Sequence, residues 1–302
     1  AQRDTSGHGT LLASISAGSY ADGYVGVAPG AELLVVKLKQ SKQYLRDFFL
    51  IKDDVPAFEE SDIMLALRFL EDYAIRLGKP LIIIFGLGSA NGSRTGASPL
   101  AEMMENLTKK PNISVITCMG NEANNKCHYK GTVMSALVPD VMEINVDGTG
   151  KGFTMEIWAD SLDILSVSIE SPSGEYVPRI PARMGASMEY TFLYEGSTVT
   201  VDYQITENVA GMEVIFVRLK TPVEGTWKFY IYSLTNIKGS YNAWLPLKQF
   251  SGQDIYFLKS DPDTTLTVPA AADGVISVGA YNHYTGACLL YTSDAADDLT
   301  RV

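Results

Sequence analysis

Short apolar runs alternate with amphipathic segments over the first 121 residues. Three apolar runs have the length and composition of buried strands: "AELLVVKL" (31–38), "PLIIIFG" (80–86) and "NISVITCMGN" (112–121). Residues 61–78 and 98–110 carry apolar positions at helical spacing, and Ser61 and Ser98 are the expected N-caps. Strands that alternate with helices predict a parallel sheet covered by helices on both faces.

The pattern changes near residue 130, and from about 133 to 249 it contains no helical periodicity. Short β-rich runs separated by turn residues, such as "GFTMEIWA" and "MEVIFVRL", predict an antiparallel sandwich. The tryptophans of this block are interpreted as packing residues rather than as a carbohydrate-binding platform. A buried strand, "VISVGAY", returns within 264–282. The chain therefore reads as one α/β domain with a β-sandwich inserted into it.

Composition narrows the function classes. The formal net charge is −11 and no basic run occurs, which argues against a nucleic-acid partner. The apolar runs are too short to span a bilayer. Cys118, Cys127 and Cys288 are too few and too scattered for a disulfide framework or a zinc site, so free thiols are expected.

His8 stands in "RDTSGHGTLLASISAG" (3–18), at the start of a predicted helix of small residues. Gly7 and Gly9 allow the backbone to pass close to other elements. A single histidine is more often structural than catalytic. The glycines, the helix start and the parallel-sheet context together make His8 a candidate general base.

Two strand ends supply further candidates. Asn121 follows the strand at 112–121, and its amide could donate to a developing oxyanion or merely form an Asx turn. The glycine-rich loop in "IIIFGLGSANGSRTG" (82–96) would let an extended peptide pair with the strand edge. A phosphate cradle is the weaker alternative, because the loop lacks the Lys-Ser/Thr ending.

The motifs "GHGT", "GVAPGAELLVVKL", "GLGS", "MGNEAN" and "PAAADGVISVGAYN" occur in the order and spacing of one family. Over about residues 1–287 the chain resembles the subtilisin-like serine peptidases. It resembles in particular the clostridial subtilases, which include germination proteases of spores and carry an inserted jelly-roll domain. The resemblance implies a subtilase domain over 1–132 and 250–287, interrupted by a jelly-roll sandwich over 133–249.

The resemblance also implies roles for individual residues in acyl transfer by an Asp-His-Ser triad. His8 would be the general base and Asn121 the oxyanion donor. Six residues would line the substrate cleft, three on one side and three on the S1 side: Leu87, Gly88, Ser89, Cys118, Met119 and Gly120. The implied partners are a protein or peptide substrate and the protein's own propeptide. No cofactor is required, although the family can bind calcium; no acidic cluster here has convincing ligand spacing.

Several positions depart from the family pattern. Ile84 and Gly86 stand where polar residues are usual, and "GSRTG" replaces a common "GxHDG". Met119 is larger than the usual small residue. These departures leave open an altered specificity or a catalytically inactive pseudoprotease that acts by binding a peptide or protein. A third reading, a sandwich-dominated adhesion module, would require the block over 133–249 to bind a glycan.

The triad partners of His8 are not recognisable in the sequence. In this family the chain order is Asp, His, Ser. Asp4 is interpreted as a loop or helix-start residue and not as the triad aspartate, and Ser293 is rejected because acidic residues follow it. The chain is therefore expected to be an internal fragment that does not hydrolyse peptides through a triad.

The end of the chain has a different interpretation. The stretch "CLLYTSDAAD" resembles the translation of a sequencing-library adapter, so 288–302 is interpreted as an adapter-derived tail. The compartment stays open.

Overall fold

A computed structural model describes residues 3–160, 162–183, 185–205, 211–235 and 237–281. The interpreted adapter tail, with Cys288 and Ser293, falls outside these residues. The helices are α1 (His8–Ala17), α2 (Gln43–Phe48), α3 (Glu60–Leu77) and α4 (Pro99–Thr108), with a 3-10 turn at Lys248–Phe250. The strands are β1 (Leu81–Phe85), β2 (Ile113–Cys118), β3 (His128–Thr132), β4 (Asp140–Asp147), β5 (Gly152–Asp160), β6 (Leu165–Glu170), β7 (Tyr176–Ile180), β8 (Ser187–Thr191), β9 (Thr198–Ile205), β10 (Met212–Lys220), β11 (Gly225–Ser233), β12 (Ser240–Trp244), β13 (Asp254–Phe257) and β14 (Ile276–Val278).

Three strands form a parallel sheet in the order β1-β2-β14. Leu81 of β1 pairs with Ile113 of β2, and Ile276 of β14 pairs with Ile116. The α/β class predicted from the alternating pattern is confirmed. Because the strands are parallel, their carboxyl ends meet at one edge of the sheet, and this edge positions the candidate site.

Helices α3 and α4 pack on one face of this sheet through an apolar cluster that includes Leu67, Met104 and Val115. Ser98 caps α4, since its side chain accepts a hydrogen bond from the Ala101 N–H at 3.1 Å. Helix α3 ends at Gly78 in the left-handed conformation, but its N-cap is Glu59 rather than Ser61.

Residues 31–38 do not form the predicted buried strand. The segment has no strand assignment, and Leu33 and Val35 are 57% and 72% exposed. A strand needs a hydrogen-bonded neighbour, and over 32–40 the backbone hydrogen-bonds to no other strand among the described residues. The apolar run therefore indicated that the segment favours a strand, but it could not indicate whether a neighbouring strand pairs with it.

The rest of the described chain is dominated by two antiparallel sheets. Six strands follow the order β3-β12-β5-β10-β9-β8, and five follow β13-β4-β11-β6-β7. Both sheets contribute to one apolar cluster, for example Ile157 and Val217 from the first and Ile144 and Phe229 from the second. The shared cluster shows that the two sheets face each other, as in a sandwich. Strands β3 and β13 lie on either side of the predicted range 133–249 and join the same two sheets.

Two of the three tryptophans, Trp227 and Trp244, are used in packing. Trp227 is fully buried and its indole N–H donates to the Val223 carbonyl at 3.1 Å. Trp244 is 5% exposed and stacks on His128 with ring centroids 4.9 Å apart. Neither ring is available as a platform for a sugar. Within the described part of the chain, no helix has the length and hydrophobicity needed to span a membrane.

Candidate active site

The N-terminus of α1 is held by Asp4. Its carboxylate accepts hydrogen bonds from the backbone N–H groups of Ser6, Gly7 and Thr10 at 2.9–3.0 Å, and from the Thr10 hydroxyl at 2.7 Å. Hydrogen bonds from Thr10, and then from Gly7, hold the pKa of Asp4 well below its usual range. These contacts agree with the interpretation of Asp4 as a helix-start residue, because the carboxylate satisfies free N–H groups of the first turn.

His8 is the first residue of α1 and is exposed. Its ring lies over the end of β1: a Cβ added to Gly86 would stand 3.5 Å from His8 Cε1 and 3.7 Å from Leu12 Cγ, and would overlap Leu12 Cδ1. The absence of a side chain at Gly86 therefore lets α1 approach the strand end. This accounts in physical terms for one of the departures from the family pattern.

The six predicted cleft residues lie at the carboxyl ends of β1 and β2, which are neighbours in the sheet. Leu87, Gly88 and Ser89 follow β1, whereas Cys118 ends β2 and Met119 and Gly120 follow it. All six are half-buried. We call the first three the β1 wall and the other three the β2 wall. The structure thus brings the two predicted sides of the cleft to one edge of the sheet.

A third segment connects the two walls. Ser89 and Val268 exchange two backbone hydrogen bonds, each of 2.9 Å, as an isolated antiparallel bridge. The Thr267 N–H donates to the Met119 carbonyl at 2.9 Å, and the Met119 N–H donates to the Val278 carbonyl at 3.0 Å. Residues 267 and 268 therefore fix the two walls relative to each other.

Asn121 follows Gly120, which has a positive φ of 96°. The Asn121 side chain is exposed, and no described residue hydrogen-bonds to it. The Asx turn, the alternative considered from sequence, is therefore not formed within the described ranges. The amide is free to donate to a group bound in the cleft.

The structure does not bring a nucleophile to His8. Among the residues that the structure describes, no hydroxyl, thiol or carboxylate hydrogen-bonds to the His8 ring. The hydroxyl of Ser89, in the β1 wall, accepts from the Asn91 N–H at 3.0 Å. The Asp4 carboxylate is engaged with the first turn of α1. Of the predicted catalytic groups, the described part of the chain therefore contains one triad member, His8, and the oxyanion donor, Asn121.

The two described cysteines are free thiols. Burial raises the pKa of Cys118, and burial, reinforced by the charge of Glu122, raises the pKa of Cys127 to about 12. A thiol attacks as its thiolate, so neither residue is poised as a nucleophile near neutral pH. Within the described ranges no three His, Cys, Asp or Glu residues form a group able to hold a metal ion. The calcium expectation stays a prediction.

Sequence reasoning missed a set of residues that connect the cleft to the sandwich. Glu156 of β5 accepts hydrogen bonds from the Gly92 N–H and from the Trp158 indole, both at 2.9 Å. Arg94 donates to the Ala90 carbonyl at 2.7 Å, and its guanidinium lies 4.9 Å from the Trp244 ring centroid. The loop that carries the β1 wall is therefore anchored on β5 and β12. No local pattern marks these partners, because they are far apart in the chain.

We expect Glu156→Ala to loosen this loop. The substitution leaves the Gly92 N–H and the Trp158 N–H without an acceptor, which costs about 2 kcal/mol of the free energy of unfolding. Hydrogen exchange should report faster exchange at residues 89–95. The matched control is Glu189→Ala, which removes an exposed carboxylate from β8. Equal exchange in both variants would contradict the anchoring role.

Comparisons with known proteins identify the family and the fold of the chain. The sequence profile described as the subtilase family, peptidase family S8, matches residues 1–197, and the chain belongs to that family of serine peptidases. Among solved structures, the CspB protease of Clostridium perfringens is similar, with a TM-score of 0.79 and 25% identity. The match covers 94% of this chain and 57% of that chain. No curated protein matches. The predicted family and its clostridial subgroup are confirmed.

Proposed function

We propose that this chain carries the general base and the oxyanion donor of a serine endopeptidase. The observation that supports the proposal is the convergence of His8, the β1 wall and the β2 wall with Asn121 at the carboxyl edge of β1 and β2. An exposed histidine at a helix N-terminus and an unengaged amide beside two strand ends suit acyl transfer to a peptide carbonyl.

In the proposed reaction a serine hydroxyl attacks the scissile carbonyl while the His8 ring takes its proton. The Asn121 amide donates to the oxyanion of the tetrahedral intermediate. The His8 ring then returns the proton to the leaving amine, and water releases the acyl-enzyme by the same route. We propose that the serine and the aspartate that orients His8 come from parts of the parent protein outside residues 3–281.

An extended peptide is the proposed substrate. Its backbone would pair with the residues after β1, where Gly88 presents backbone without a side chain, and hydrogen bonds of this kind are independent of side-chain identity. The propeptide is proposed to occupy the same cleft before activation. The sandwich is proposed to be structural, since Glu156 and Trp244 hold the loop beside the β1 wall.

The test uses the full-length product of the gene that encodes this chain. We expect a fluorophosphonate probe to label one serine, and an excess of peptide substrate to slow that labelling. Hydrolysis of fluorogenic peptides together with labelling of one serine would support the proposed endopeptidase activity. A folded protein that is neither labelled nor active would contradict it.

Asn121→Ala gives a second measurement in the same protein. Loss of one oxyanion donor costs about 3–4 kcal/mol of transition-state stabilisation in other enzymes, so kcat should fall by on the order of 10²–10³. KM should change little, because the amide acts mainly on the intermediate. The matched control is Asn124→Ala, an exposed amide three residues on, for which kcat should stay within about twofold. A fall mainly through KM would contradict the oxyanion role.

A second candidate is a pseudoprotease that binds peptides or proteins without cleaving them. The observation that favours it is the absence, among the described residues, of any hydroxyl on the His8 ring, together with Gly86 at a position that is usually polar in the family. The labelling experiment separates the two, since a pseudoprotease would bind substrate peptides in the cleft but would not react with the probe.

A further inference from the structure

Thr267 lies between the two walls of the cleft. A Cβ added to Gly88 would stand 2.6 Å from Thr267 Cβ, and a Cβ added to Gly120 would stand 2.6 Å from Thr267 Cγ2. Both separations are below any normal contact between carbon atoms. Both glycines therefore present bare backbone to the same threonine, and the space between the walls is filled by its side chain.

The position of Thr267 is tightly determined. The residue is 3% exposed, and its hydroxyl lies within hydrogen-bond distance of the Cys118 and Met119 carbonyls, at 3.3 and 3.2 Å. Its N–H donates to the Met119 carbonyl, and the adjacent Val268 is bridged to Ser89. With backbone and side chain both held, the threonine cannot swing aside to admit a large group.

We infer that Thr267 is a specificity-determining residue that restricts the cleft to small side chains. The inference rests on the proposed function, which places a peptide along the β1 wall. We call the substrate residue on the acyl side of the scissile bond the acyl-side residue. Its side chain would enter between the β1 wall and the β2 wall. It would meet Thr267 there, so glycine, alanine or serine fits and phenylalanine does not.

The experiment measures peptide binding in the full-length gene product carrying His8→Ala, which prevents turnover. The probes are fluorescein-labelled peptides that differ only in the acyl-side residue, alanine or phenylalanine, and the readout is fluorescence polarisation. We expect the alanine peptide to bind roughly tenfold more tightly or better, since one misfitting methylene in a hydrophobic pocket changes discrimination between substrates by about 10–200-fold. Thr267→Gly should remove most of this preference, because it should raise the affinity for the phenylalanine peptide.

Two variants separate shape from hydrogen bonding and from folding. Thr267→Val keeps the volume but loses the hydroxyl, so it should keep the preference for alanine. Thr267→Ser keeps the hydroxyl, removes Cγ2 and should relax the preference in part, even if Thr267→Gly does not fold. Two results would overturn the inference. One is that the two peptides bind with equal affinity both to the protein with Thr267 and to the Thr267→Ser variant. The other is that neither peptide binds. Selective binding without fluorophosphonate labelling of the wild-type protein would overturn only the proposed chemistry.

Discussion

His8→Ala is expected to lower kcat for peptide hydrolysis by on the order of 10⁴-fold or more in the full-length gene product. In the proposed mechanism His8 is the general base of a triad, and triad members act as a unit, so its loss would leave only the acceleration from binding and from oxyanion stabilisation. The measurement is steady-state hydrolysis of a fluorogenic peptide. Because His8 is exposed and its ring hydrogen-bonds to no described residue, the free energy of unfolding should change by less than about 0.5 kcal/mol.

Two further variants make the His8 result specific. His8→Gln keeps a polar side chain of similar reach but cannot take a proton, so it should be as inactive as His8→Ala. Leu11→Ala alters the same helix at a side chain that is 58% exposed, and its kcat should stay within about twofold of wild type. Hydrolysis by His8→Ala at the wild-type rate would show that this histidine is not the base.

Asp163→Ala is expected to cause a large loss of stability in the sandwich. The carboxylate is inaccessible to solvent and accepts from the N–H groups of Ile237 at 2.6 Å, Lys238 at 2.8 Å and Gly239 at 2.6 Å. Alanine would leave these donors without their acceptor, and we expect the free energy of unfolding to fall by about 3–5 kcal/mol. Urea denaturation measures the change.

The matched control is Asp160→Ala, three residues earlier. The side chain of Asp160 is 33% exposed and pairs with the Lys238 ammonium at 2.5 Å. Ion pairs at the surface contribute about 1 kcal/mol or less, so this variant should stay close to wild type. If both variants lost the same free energy, the buried carboxylate of Asp163 would not be the stabilising group.

The contribution of Asp163 should also depend on pH. Burial raises its pKa, but hydrogen bonds from Gly239, Ile237 and Lys238 outweigh that effect and hold the pKa below the usual 3.8. A carboxyl group whose pKa is lowered by folding stabilises the protein above the unfolded pKa and loses that contribution as the pH falls through the folded value. The stability gap between wild type and Asp163→Ala should therefore narrow below pH 3.8.

The sequence alone was enough for features that depend on neighbouring residues. Apolar runs of strand length located β1 and β2, and Ser98 followed by Pro99 marked the start of α4. The motifs around His8 and Asn121 identified the family, because spacing along a chain is preserved in the sequence itself. Short β-rich runs separated by turn residues indicated the antiparallel part without its strand order.

Other features required contacts between distant parts of the chain. The run at 31–38 has the composition of a strand, yet no described strand pairs with it, and composition cannot supply a hydrogen-bonding partner. Ile82 and Ile84, in a run interpreted as buried, are 65% and 46% exposed, because burial depends on what covers a face. The anchoring of Gly92 on Glu156 likewise joins residues with no local relation.

The sequence by itself determined the family through motifs with fixed spacing and the α/β class through alternating strand and helix patterns, and it predicted which residues line the cleft. The tertiary structure decided how wide that cleft is. Thr267 carries no motif, but folding brings it against Gly88 and Gly120 from far along the chain. The space available to a substrate depends on side chains that meet only in three dimensions, whereas the identity of the walls depends on residues that are neighbours in sequence.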